Sequence, residues 1–152
     1  MRREAVIVDA VRTPLGRREG MLKAWHPVDL LGFTLKGLVA RNKLDPARID
    51  VGALKQRLLA IQALETARCL EEGVLTDVRE ADVGSILGFG FAPFTGGTLS
   101  YIDMMGTQAF VRLCRQLETS CGARFAPSQL LIDMASRGDT FYGRFAGQRA
   151  AA

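Results

Sequence analysis

A mainly α fold is what the sequence predicts, a helical domain preceded by a short strand-helix appendage. Three observations carry it. From Ala53 onward, apolar residues recur at intervals of three and four through successive stretches, the spacing of helices that bury one face. Helix stop signals punctuate those stretches, at Gly73, Gly106, Gly122 and Gly138. Strand character is confined to one place, the β-branched run Ala5-Val6-Ile7-Val8 near the start. The organisation read from these is an appendage over 1–52, a helical domain over 53–145 and a polar, fraying tail over 146–152.

Arg2 to Val11 reads as a strand, and its unbroken apolar run fits one buried on both faces. Pro14 pushes Thr13 towards extended backbone and ends the ladder, and Gly16 and Gly20 bracket a charged loop. A helix starts at His26-Pro27-Val28-Asp29, with Asp29 in the first turn, and runs to Arg41. Asn42 stops it, and Leu44-Asp45-Pro46 opens a turn ending near Asp50.

Ala53 to Glu72 is the strongest helix, with Leu54, Leu58, Ile61, Leu64, Ala67 and Leu70 on its apolar stripe. Asp77-Val78-Arg79-Glu80 forms a capping box for the next, whose stripe is Val78, Ala81, Val83, Ile86 and Leu87. Gly88 to Gly97 is a corner whose three aromatics, Phe89, Phe91 and Phe94, are expected in the core. Thr98 to Met105 is a short amphipathic helix. Thr107 is expected to cap a further helix with Phe110, Val111, Leu113, Cys114 and Leu117 inward. Ser128 to Arg137 is the last helix, with Pro127 at its start and Gly138 after it.

The chain has 152 residues, 48% apolar and 24% charged, and a formal net charge of +4. That is an ordinary composition for a globular protein. The arginines are scattered and no aromatic platform lies among them, so nucleic acid is not an expected partner. No window reaches ~18 consecutive apolar residues, so no membrane span is expected. The basic opening with its short apolar run, broken by Asp9, does not make a secretory signal. Three cysteines, Cys69, Cys114 and Cys121, have neither the number nor the spacing of a disulfide framework or zinc site. The expected compartment is a reducing cytoplasm.

Two resemblances divide the sequence. Glu4 to Ala10, Val11-Arg12-Thr13-Pro14, Gly16-Arg17, His26-Pro27-Val28-Asp29-Leu30-Leu31 and Leu44 to Asp50 look like the opening of a thiolase of the acetyl-CoA acetyltransferase type. In thiolases this segment is the first strand and helix of a five-layered α/β/α/β/α fold. Here the next strand does not come. From Ala53 the chain resembles the C-terminal helical domain of 3-hydroxyacyl-CoA dehydrogenases of the multifunctional β-oxidation type. That likeness rests on Glu65-Thr66-Ala67-Arg68-Cys69-Leu70-Glu71-Glu72-Gly73, Glu80-Ala81-Asp82, Gly88-Phe89-Gly90-Phe91-Ala92-Pro93-Phe94, Gly96-Gly97 and Tyr101-Ile102-Asp103, in that order. The change falls at Val51-Gly52, with no linker-like composition around it.

The two resemblances imply a module of fatty-acid β-oxidation, fused or truncated. Dehydrogenase chemistry needs NAD and a His–Glu pair, which the family carries on an N-terminal Rossmann domain. NAD and acyl-CoA are thus implied for the family, and no cofactor is expected in this chain, which on its own is expected to be inactive. The thiolase nucleophile segment is also missing. The alternative is a non-catalytic helical interaction or oligomerisation protein. Expected partners are a second copy or β-oxidation subunits.

Read for chemistry, the residues yield no catalytic, cofactor or metal site. His26, the only histidine, sits at a helix start. Gly88-Phe89-Gly90 with Gly96-Gly97 imitates a phosphate-binding turn in glycine content. It follows a helix rather than a strand and lacks GxGxxG spacing. Asp82 and Glu65 are the carboxylates expected to be partly buried, accepting corner amides or pairing with Arg68. The lone strand should leave backbone groups unpaired unless a second copy supplies partners.

Overall fold

The computed structural model describes residues 9–145, and among these there is no strand. Seven α-helices and three single 3-10 turns carry the described residues, which fall into two compact units, Met1–Asp50 and Val51–Ala152.

The first unit holds one helix, α1 (Pro27–Arg41). His26 caps it, its ring Nδ1 accepting the Val28 amide at 3.3 Å, and Pro27 takes the first turn, where no amide partner is needed. Asn42 closes the other end, its side-chain amide donating to the Leu38 carbonyl at 2.9 Å. A 3-10 turn, Pro46–Arg48, follows, capped by Asp45. No residue of α1 is buried, and Val28, Leu31, Phe33 and Leu35 all face solvent.

The expected strand, Glu4 to Ala10, lies outside the described residues up to residue 8. Asp9, Ala10 and Val11 are not in a strand. The polar groups of Asp9 and Ala10 are committed elsewhere. Asp9 accepts Arg41 Nε and Asn42 Nδ2, each at 2.7 Å, and also Arg41 Nη2, which further donates to the Ala10 carbonyl at 3.1 Å. The guanidinium of Arg41 holds the Asp9 carboxyl far below the usual carboxylate range. The tail 146–152 also lies outside the described residues.

The second unit is built on α2 (Val51–Glu71). Its buried face is Ala60, Ala63, Leu64, Thr66 and Ala67, so the core begins three turns into the helix. Leu54 and Leu58, expected inward, are exposed, because the first turns of α2 carry no neighbour that covers them. Gly73 ends the helix region with a φ of 74°, a left-handed conformation glycine takes without strain.

α3 (Val78–Phe89) begins at Asp77, whose carboxylate accepts the Arg79 amide at 2.8 Å. Its buried side is Val78, Ala81, Asp82 and Ser85. Val83 and Leu87, expected on the apolar stripe, are instead 55% and 81% exposed. The stripe is rotated because the inward positions go to Asp82 and Ser85, whose polar groups have partners there. The corner places one of its aromatics inside. Phe91 is buried against Tyr101, while Phe89 and Phe94 are exposed at 58% and 71%. Phe94 instead lies under the Lys55 ammonium, 5.1 Å from its ring centre.

α4 (Thr98–Met105) and α5 (Thr107–Cys121) follow. Thr107 was expected to cap α5. Its hydroxyl donates to the Asp139 carbonyl at 3.0 Å instead, and Gly106 occupies the cap position. α5 buries Phe110, Val111, Leu113 and Cys114. α6 (Gln129–Arg137) is capped by Ser128 and ends at Gly138 in the left-handed region. A further short helix, α7 (Phe141–Phe145), lies beyond the last helix the sequence predicts. One core runs through α2–α7, with Leu64, Phe91, Leu99, Ile102, Phe110, Leu131, Met134 and Phe141 enclosed.

Candidate functional site

The densest polar construction in the second unit surrounds Asp82, which is 2% exposed. It projects from α3 onto the N-terminus of α4. Asp82 Oδ1 accepts the Leu99 amide at 2.7 Å and the Ser100 amide at 3.3 Å. Oδ2 accepts the Ser100 amide at 3.1 Å, the Ser100 hydroxyl at 2.6 Å and the Tyr142 hydroxyl at 3.0 Å. A carboxylate at this position satisfies the free amides of α4 and meets the positive end of its dipole. Ser85, one turn on, completes the junction by accepting the Thr98 amide at 3.3 Å.

Gly97 makes this approach possible. Its φ of 124° is outside the range of residues with a side chain, and an added Cβ there would overlap the Asp82 side chain. The double glycine of the corner thus serves to bring α4 onto a carboxylate. It does not present amides to an outside phosphate.

The same device recurs twice. Asp103 of α4 accepts the Phe141 and Tyr142 amides at 2.7 and 3.0 Å, starting α7. Burial pushes its carboxyl above the usual range, against the pull of those two amides. Glu71, at the end of α2, accepts the Leu130 amide at 2.8 Å at the start of α6. Arg68 works on the opposite charge. It donates to the Arg124 and Ala126 carbonyls at 2.9 and 2.8 Å and to Glu65 Oε1 at 2.6 Å.

The chemistry these groups can do follows from their partners. Every oxygen of Asp82 already accepts at least two donors, which leaves it no free lone pair aimed at a substrate proton. Glu65, expected to be partly buried, is exposed on the outer side of α2 and is held there by Arg68. His26 is occupied as a cap in the first unit. Cys114 is enclosed, and burial pushes its thiol up to about 12, so it is not a nucleophile. Cys121 is partly exposed, with its thiol lowered by hydrogen bonds from Ser120 and Arg57. Sequence reasoning singled out Asp82 and Glu65. It missed Ser100, Asp103 and Tyr142. Asp103 stood in the Tyr-Ile-Asp motif, and its pattern alone gave no sign of the amides it would meet.

Each unit also has a concave surface among its described residues. In the second unit a groove of about 390 Å³ between α2 and α3 is lined by Ile61, Cys69, Glu80, Ala81, Gly84 and Phe89, among others. In the first, a pocket of about 270 Å³ lies beside Trp25 and Phe33, with Arg12 at its edge.

Fold and site together define a helical module whose buried carboxylates are spent on joining helices. Residues 5–87, just over half of the chain, match the thiolase N-terminal domain family, and the chain belongs to that family. Membership links it to acyl-CoA and fatty-acid metabolism. The match runs beyond Val51, where the motif reading ended the thiolase likeness. It takes in all of α2 and α3 as far as Leu87. No helix among the described residues is long and apolar enough to cross a membrane.

Proposed function

We propose that the chain is a β-oxidation-related module: a thiolase-type N-terminal segment joined to a helical unit like the C-terminal domain of 3-hydroxyacyl-CoA dehydrogenase, with no NAD-binding unit among the described residues. The observation that carries this reading is the Asp82–Gly97 junction. The motifs behind the dehydrogenase likeness, Glu80-Ala81-Asp82, Gly96-Gly97 and Tyr101-Ile102-Asp103, are the residues that join α3, α4 and α7. They form one structural unit, which supports reading them as one inherited domain. A dinucleotide site requires a strand, a glycine-rich turn and a helix, and no strand occurs among the described residues.

The test is reduction of acetoacetyl-CoA by NADH with the purified chain, alongside calorimetric titration of NADH. The reading predicts neither turnover nor binding by the chain alone. Turnover that follows the chain through purification overturns it. Co-purification with β-oxidation subunits separates it from a helical interaction protein of unrelated role, a reading that the exposed Leu87, Phe89 and Phe94 also favour.

A further inference from the structure

In the first unit, one face of α1 and the segment ahead of it enclose the 270 Å³ pocket. Leu30, Phe33, Thr34 and Gly37 follow the helical spacing of a single face, and residues 11–14 lie across from them. That segment is pinned at its start. Asp9 accepts Arg41 and Asn42 at the far end of α1, and Arg41 also donates to the Ala10 carbonyl. Trp25 meets Phe33 edge to face, with ring centres 5.8 Å apart, and both rings stay open to solvent.

The polar groups of the lining are few. The Thr34 hydroxyl is spent on the Leu30 carbonyl at 2.8 Å. Arg12 is the charged member of the lining, and its guanidinium forms no ion pair among the described residues. Apolar walls with one placed charge are the make-up of a small-molecule site, and the volume lies near the roughly 300 Å³ lower end of such sites.

We propose that this pocket binds a small apolar carboxylate, with its hydrocarbon part against Trp25, Phe33 and Leu30 and its charge on Arg12. The guanidinium fork matches a carboxylate with two parallel N–H···O bonds, which an alcohol or an amine cannot accept. The space enclosed is too small for a folded partner segment. The inference does not rest on the proposed function.

Trp25 is the only tryptophan of the chain, so its emission reports on the pocket directly. The test is titration of the full chain with 4-phenylbutyrate, and with 4-phenylbutan-1-ol as its uncharged counterpart. The expected result is a saturable change in emission with a Kd on the order of 1 mM for the carboxylate, and binding of the alcohol weaker by about tenfold. Arg12→Gln should weaken the carboxylate by about tenfold and leave the alcohol unchanged. Arg48→Gln removes the same charge outside the lining and should change neither. Gly37→Leu places a side chain where an added Cβ meets nothing within 4 Å, and should block both ligands with helix content retained. No saturable change up to about 10 mM overturns the proposal. So does equal binding of acid and alcohol, or a loss in Arg48→Gln as large as that in Arg12→Gln.

Discussion

The two units spend their apolar residues in opposite ways. In Val51–Ala152, six helices close on a shared core, and carboxylates or an arginine fasten one element to the next. In Met1–Asp50, α1 has a sound cap at each end and a full complement of leucines, valine and phenylalanine, yet none of its residues is buried. Local helix signals are equally good in both. What differs, among the described residues, is whether other elements bury the face those signals present. Caps and propensity set where a helix starts and stops, while tertiary burial supplies most of its stability.

That comparison can be broken by paired substitutions. Phe110→Ala removes a fully buried ring from α5 and should cost about 3–5 kcal/mol, enough to unfold much of the second unit. Leu31→Ala on the exposed side of α1 should change stability by no more than about 0.5 kcal/mol. Chemical denaturation of both variants checks the contrast, and a comparable loss for Leu31 would break it.

A smaller effect sharpens the role of the junction. Asp82→Ala strands the first amides of α4 and two hydroxyls in a buried place, at a cost of about 3 kcal/mol. If Asp82 were an unused catalytic group, its removal would leave stability nearly unchanged. Denaturant midpoints with an unaltered slope distinguish the two.

The smallest effect is in pH dependence, and its sign is diagnostic. The Asp103 carboxyl is raised in the folded state, chiefly by burial. The native chain therefore holds that proton at pH values where the unfolded chain has released it. The associated stability is present below the ordinary carboxylate range and is lost as pH rises through the raised value. Asp77 is opposite. Its bonds to Arg79 hold it at about 2, so its contribution exists above the ordinary value and fades as pH falls towards 2. Asp103→Asn should flatten the first slope and leave the second, measurable as unfolding free energy against pH.

Much of the helical plan was legible in the sequence for local reasons. Thr98–Met105 has the bounds its flanking glycines indicate, and Asp77 and Asn42 cap where their types predict, whereas Pro127, expected in the first turn of the last helix, lies ahead of its cap Ser128. Faces were less legible. The stripe through Val83 and Leu87 pointed outward because a polar pair, Asp82 and Ser85, had better partners inside. Phe89 and Phe94 were expected in the core on size alone, but only Phe91 reaches it. Thr107 reads as a cap by type, yet the Asp139 carbonyl, 32 residues away, takes its hydroxyl. The partners of Asp103 were hidden for the same reason. They sit in α7, too short to leave a periodic signal.

The central claim is that burial, rather than helix signals, separates the two units. Hydrogen exchange of the full chain, read by mass spectrometry, tests it most directly. The account predicts slow exchange over Ala60–Ala67 of α2 and Phe110–Cys114 of α5, with α1 exchanging at close to the rate of an unprotected chain. Protection of α1 equal to that of α5 would contradict it.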